Sequence, residues 1–119
     1  MNTFVCYDRC STCQKAEKWL QENDIPYEKR PIKEQNPTAE ELRDWVARSG
    51  LPIKRFFNTS GLLYKQLALK DKLPTMTEDD MLALLATDGM LVKRPLLITE
   101  TRVFPGFKPA DWTAALSEG

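Results

Sequence analysis

The sequence predicts an α/β fold: strand, helix, strand, then a run of helices, then a strand hairpin and a closing helix, around a mixed four-stranded sheet. Three observations carry this. A β-branched, aromatic run opens the chain and is followed by an amphipathic segment and a second alternating run. Helix-period segments with cap and breaker signals then fill about residues 38–90. Finally, two short apolar runs near the C-terminus are separated by a tight turn. At 119 residues, with 42% hydrophobic and 29% charged, the chain has the size and composition of one domain over 1–119, with one core and a well-solvated surface.

Each element has its own signal. Thr3-Phe4-Val5-Cys6-Tyr7 reads as the first strand. Asp8 to Thr12 is polar and turn-like. Gln14 to Asn23 follows as a helix, with Ala16, Trp19 and Leu20 at helical spacing and Lys15, Glu17, Lys18 and Glu22 on the wet side. Asn23-Asp24-Ile25-Pro26 stops it. Tyr27 to Ile32 alternates and forms a second strand, so the first three elements make a βαβ unit with parallel strands and a right-handed crossover. Thr38-Ala39-Glu40-Glu41 is a capping box opening a helix to about Arg48, with Leu42, Trp45 and Val46 as its apolar face. Gly50 and Pro52 break the chain, and Ile53 to Phe57 and Leu62 to Leu69 are two further short helices. Thr77-Glu78-Asp79-Asp80 starts the next helix with acid in its first turn, which suits the helix dipole, and Gly89 is its expected stop. Leu96-Leu97-Ile98-Thr99 and Arg102-Val103-Phe104, joined by Glu100-Thr101, form the hairpin. Pro109 opens a final helix containing Trp112 and Leu116. The helical spacing of Trp19, Trp45, Trp112, Phe56 and Phe57 assigns these rings to the core. The order is that of thioredoxin with an inserted helical segment.

Charge and composition narrow the function. Lys+Arg and Asp+Glu are both 17, and no long run of one sign occurs, so no direct nucleic-acid contact is expected. No stretch approaches the roughly 18 apolar residues of a membrane span. Met1-Asn2-Thr3-Phe4 lacks a basic region followed by an apolar one, so a cytoplasmic location is expected. Histidine is absent, which excludes Ser/His/Asp and Cys/His hydrolases and histidine-containing zinc sites built from this chain alone.

The chemistry concentrates at Cys10-Ser11-Thr12-Cys13. In a cytosolic protein such a close pair is more often catalytic or metal-binding than structural. A zinc site needs four ligands as a rule; Cys6, Cys10 and Cys13 supply three, so no metal is expected. At the entry to a helix after a strand, the unpaired N–H groups favour a thiolate. Residues three apart on a helical turn share a face, within reach of a disulfide. Cys10 is the candidate attacking sulfur, Cys13 the resolving one, and Arg9 and Lys15 are candidate nearby charges. Cys6, mid-strand, reads as a small buried hydrophobe. The second constellation is Lys93-Arg94-Pro95. Arg94 is either an anion contact near the thiolate or a solvated surface arginine. A proline in such a turn is cis or trans, with cis the minority state. Asn58-Thr59-Ser60-Gly61 is a polar turn that either lines the site or merely connects helices.

Tyr7-Asp8-Arg9-Cys10-Ser11-Thr12-Cys13-Gln14-Lys15-Ala16 resembles the N-terminal motif of the arsenate reductase/Spx family. Phe56 to Gly61, Asp88 to Leu96 and Gly106-Phe107-Lys108 fit the same family in order over nearly the whole chain. The resemblance is closest to its small, uncharacterised arsenate reductase-like members. It implies a thioredoxin-like fold with a helical insertion, Cys10 as the active-site cysteine, and a cis Pro95 packed near that cysteine. Ser11 and Thr12, with Pro95, are expected as structural residues near the site. Family members of the glutaredoxin-linked arsenate reductase type use one cysteine and three arginines. Here only Arg94 matches. Asn58 stands at the middle arginine, and the last position falls near Gly106 or Phe107. An anion site with two charges fewer binds arsenate weakly. Those enzymes typically carry serine where Cys13 stands. Spx-type members keep the C-x-x-C as a redox switch and bind the RNA polymerase α subunit. Gly50 falls near their polymerase-contact glycine in a loop of different length, and their basic C-terminal extension has no counterpart before Gly119.

The expected function is therefore thiol–disulfide exchange without metal or organic cofactor, as a monomer, with glutathione, glutaredoxin or thioredoxin as reductant. The alternatives are arsenate reduction at Cys10 and Arg94, a redox-switched regulator bound to the polymerase α subunit, and a relative that has lost catalysis.

Overall fold

Alternation along the first strand divides its side chains between two faces, and the rest of the fold packs around that division. The computed structural model describes residues 2–117. Strand β1, Asn2–Cys6, sends Phe4 and Cys6 to one side and Val5 to the other, all three buried. Helix α1, Ser11–Glu22, leads to strand β2, Tyr27–Pro31, which pairs parallel to β1. Helices follow: α2 (Ala39–Ser49), a 3-10 turn at Ile53–Phe56, α3 (Leu62–Gln66), α4 (Leu69–Lys72), α5 (Glu78–Leu85) and a 3-10 turn at Gly89–Leu91. The hairpin β3 (Leu96–Ile98) and β4 (Val103–Pro105) returns to the sheet, and α6, Pro109–Ser117, closes the described chain. Strand order is β2-β1-β3-β4, parallel in the first pair and antiparallel in the others. This is the thioredoxin-like mixed sheet that the sequence predicts.

Two apolar layers sandwich the sheet. Phe4, Cys6, Cys13, Ala16, Leu20 and Trp112 pack with Leu97 under α1 and α6. On the other face Val5, Leu96 and Ile98 meet Leu42, Trp45 and Leu85 from α2 and α5. Of the five rings assigned to the core, Trp45, Trp112, Phe56 and Phe57 are buried and Trp19 is half-buried. Trp19 stacks edge-on against Phe107 and Trp112 at 6.1 and 5.9 Å. No helix among the described residues is long and apolar enough to cross a membrane.

The Thr38 capping box forms as read: Thr38 Oγ1 accepts from the Glu41 N–H, and Glu41 Oε1 accepts from the Thr38 N–H, both at 3.1 Å. Three boundaries differ from the sequence reading. Helix α1 begins at Ser11, three residues early, because the polar Ser11 and Thr12 occupy its unpaired first turn at no cost. The expected Leu62–Leu69 helix breaks at Ala68, which adopts the left-handed conformation (φ 52°) and lets Leu69 and Leu73 turn into the core. Helix α5 ends at Ala86, and Gly89 instead sits where a Cβ would run into the Ile32 carbonyl just beyond β2.

Candidate functional site

The strand register builds the site. Val5 lies opposite Leu96 in the antiparallel β1–β3 pair, so the chain leaving β1 at Tyr7 meets the chain entering β3 at Arg94. Leu96 lies opposite Pro105, and the Gly106 N–H donates to the Pro95 carbonyl at 2.8 Å, which brings the Gly106-Phe107-Lys108 segment alongside. The Arg94–Pro95 peptide bond is cis and Pro95 is buried.

Cys10 occupies the N-cap of α1 in an extended conformation (φ −89°, ψ 120°), the place where serine or aspartate ordinarily offers an oxygen to the first turn. Here a sulfur stands in that place, near the first-turn N–H groups but without a formed cap hydrogen bond. No acidic side chain stands in that first turn to compete for the N–H groups. Partial burial pushes the Cys10 thiol up. The N–H of Cys13, the Cys13 thiol, the N–H of Thr12 and the Arg94 charge outweigh it, and the net displacement is below the ordinary 9.0.

Cys13, one turn inside, is treated in the opposite way. Its side chain is 2% exposed. Burial, and then the neighbouring Cys10 charge, push its thiol up to about 12 against the N–H of Tyr7, which donates to Cys13 Sγ at 3.4 Å. Cys6 is likewise buried and pushed up to about 11, chiefly by desolvation. All three cysteines are free thiols, and among the described residues they form no metal-ligand cluster.

Tyr7 joins the two constellations. Its carbonyl accepts from the Cys10 N–H at 2.9 Å, its N–H serves Cys13, and its ring lies 5.2 Å from the Arg94 guanidinium carbon. Arg94 Nη1 also donates to the Met90 carbonyl at 3.4 Å, while its buried Nε has no hydrogen-bond partner among the described residues. Asn58 Nδ2 reaches the same Met90 carbonyl at 3.5 Å, so Asn58 and Arg94 meet at one acceptor. The loop before Cys10 is tied down from two sides: Gln14 Nε2 donates to the Asp8 carbonyl at 2.7 Å, and Lys29 pairs with Asp8 at 2.9 Å.

A groove of about 470 Å³ opens beside this centre. Thr12 and Arg94 line it from the cysteine side, and Phe57, Thr59 and Phe107 from the other walls. Of the predicted site residues, Thr12 and Arg94 line it; Cys10, Cys13, Ser11, Asn58 and Pro95 do not. Lys54, Arg55, Lys93 and Lys108 also line it; Lys93 and Lys108 stand inside motifs noted in the sequence but with no role assigned there, and Lys54 and Arg55 carry no signal beyond being scattered bases. Arg9, read as a charge near Cys10, lines a separate 240 Å³ cavity together with Cys6. The structure thus brings together Cys10, Cys13, Thr12, Arg94 and Pro95, with Asn58 one carbonyl away. Tyr7 and the four added bases take roles here that their places in the sequence do not reveal.

Comparison with known proteins places this geometry among relatives. The chain is 51% identical over 106 residues to the uncharacterized protein YusI of Bacillus subtilis, covering 89% of this chain and 90% of that protein. It is 30% identical over 108 residues to the global transcriptional regulator Spx of Staphylococcus haemolyticus, covering 90% and 80%. Among solved structures it resembles a Bacteroides fragilis protein described as ArsC-family related. That similarity has TM-score 0.93, 59% identity and 95% coverage of each chain. The ArsC family model matches residues 6–115, and the chain belongs to the ArsC family.

Proposed function

We propose that this member of the ArsC family is a cytoplasmic, monomeric thiol–disulfide redox protein, with Cys10 as the attacking thiol and Cys13 as the resolving thiol. The contrast between the two sulfurs carries this reading. One is half-exposed and favours the thiolate; the other lies one helical turn deeper, buried and protonated. Cys10 thiolate attacks one sulfur of a substrate disulfide, that S–S bond breaks, and the other half leaves as a thiolate. Cys13 then gives up its proton and attacks Cys10 Sγ. A Cys10–Cys13 disulfide forms, the bound thiol is released, and the substrate has gained the two electrons the pair has lost. Glutathione, glutaredoxin or thioredoxin returns them. Arg94 favours the thiolate, cis Pro95 shapes the neighbouring wall, and Ser11 and Thr12 present the first-turn backbone.

Cys13→Ser tests the order of attack. The variant is expected to accumulate a mixed disulfide at Cys10, visible as an added mass. Turnover at the wild-type rate with no adduct would remove the dithiol mechanism.

The similarity to Spx favours one second reading, in which the same pair switches binding to the RNA polymerase α subunit. Retention of that subunit in one oxidation state only supports it. No retention in either state removes it.

A further inference from the structure

The groove beside Cys10 is more basic than a net-neutral chain needs. Lys54, Arg55, Lys93, Arg94 and Lys108 line it, and among the described residues no carboxylate does. The described ion pairs all use other bases, among them Lys29, Arg30, Arg43 and Arg48. Lys54, Arg55, Lys93 and Lys108 are exposed, and none has an ion-pair partner among the described residues. They come from the 3-10 turn after α2, the approach to β3 and the approach to α6, so the fold gathers them from three segments. A cleft lined by one sign of charge concentrates ligands of the other sign and repels itself when empty.

Shape and charge together narrow the occupant. A second cavity of about 130 Å³ shares Arg55, Pro105, Gly106 and Lys108 with the first, and Asp111 is its acidic member. The trough is therefore elongated, running from Thr12 past the start of α6. A tetrahedral oxyanion fills a small part of it and needs few of its cations. Oxidised glutathione, the form with a disulfide to attack, sets two ammoniums against its four carboxylates, leaving two net negative charges for the groove's cations. A nucleic acid has the charge but no sulfur for Cys10 to attack. A polypeptide with several carboxylates and an oxidised cysteine has both, and Pro52, Phe57, Pro105 and Phe107 offer apolar wall to its other side chains.

We propose that this groove holds an acidic polypeptide segment bearing the disulfide that Cys10 attacks, with Lys54, Arg55, Lys93 and Lys108 reading its carboxylates. The inference rests on the thiol–disulfide reading for its chemistry and on the groove alone for its binding, so the two are tested separately.

Binding is measured by fluorescence anisotropy with a labelled Glu-rich peptide lacking cysteine, against a Gln-rich control. Exchange is measured with the same sequences carrying one cysteine blocked by a chromogenic thiol. The Glu-rich peptide is expected to bind and to exchange about tenfold faster than its control, and both preferences to fade as salt rises. The quadruple variant Lys54→Gln, Arg55→Gln, Lys93→Gln, Lys108→Gln should lose the binding preference by about tenfold. Circular dichroism checks its fold, and the salt titration of the wild-type protein stands independently of that variant. Equal binding of the two peptides, or a preference that survives in the folded variant, overturns the proposal. So does a single-stranded oligonucleotide of equal charge that displaces the Glu-rich peptide, or oxidised glutathione exchanging as fast as the acidic disulfide. Selective binding with no exchange on either peptide supports the acidic site and instead overturns the thiol–disulfide reading.

Discussion

Arg94 and Cys10 interact across the gap between two strands, and removing the arginine charge isolates that interaction. Arg94→Met should move the pH midpoint of Cys10 alkylation upward, because one of the groups favouring the thiolate is gone. In the wild-type protein that midpoint lies below the ordinary 9.0, with reactivity rising as pH rises through it. Cys6 and Cys13, pushed up to about 11 and about 12, remain protonated at pH values where Cys10 is already reactive. Brief iodoacetamide treatment of the folded protein near neutral pH should therefore give one adduct per chain, at Cys10. Mass spectrometry showing equal labelling of Cys13 would contradict the assignment, as would an unchanged midpoint in Arg94→Met. The spacing of Cys10 and Cys13 makes them legible in the sequence. Tyr7 is not, since it acts through a backbone N–H, a carbonyl and a ring face that exist only once β1 has met β3. The shared groove of the four added bases is hidden for the same reason: each is an ordinary charge until the fold collects them.

Among elements, one contact ties β2 to the helical layer and another ties the residue just after it. Arg30 donates to Glu41 through both terminal nitrogens, at 2.6 and 2.8 Å, tying β2 to the first turn of α2. That guanidinium holds the Glu41 carboxyl at about 2, below its ordinary 4.5. Folding thus favours the ionised form. The contribution is present above about pH 4.5 and is lost as pH falls toward 2. Glu41→Gln keeps a capping side chain and removes the charge. It should cost about 0.5–1 kcal/mol at pH 7 by urea unfolding, a surface-scale value because the pair is partly exposed. The deficit should vanish in acid; a deficit that is the same at low pH would contradict the linkage. Gly89 makes the second contact. Any Cβ there meets the Ile32 carbonyl and lies 2.9 Å from Asn36 Oδ1; the Ile32 N–H donates to the Cys6 carbonyl and Asn36 Nδ2 donates to the Ala86 carbonyl, so neither residue shifts freely. Gly89→Ala should destabilise by about 1–3 kcal/mol; an unchanged urea midpoint would contradict that packing. The capped helices are legible because Thr38 and Thr77 announce them. The break at Ala68 is not, since the left-handed turn is imposed by burying Leu69 and Leu73 and not by a glycine.

At the scale of the whole molecule, the mixed sheet sets the two sulfurs at different depths. Cys13 belongs to the apolar layer under α1 and α6, while Cys10 caps the helix at the layer's edge beside the groove. Strand alternation and the hairpin signal make this layering legible in advance. The β1–β3 register, which delivers Arg94 to Tyr7, depends on tertiary pairing across about ninety residues of sequence and emerges only in the folded chain. Depth and helix position together make these two thiols a working pair. Equilibrating the protein in glutathione redox buffers and following its mass tests this most directly. A reversible internal Cys10–Cys13 disulfide is expected, with a potential of about −270 to −200 mV, between thioredoxin and glutaredoxins. Glutathione attached to Cys10, with no internal disulfide at any ratio, would contradict it.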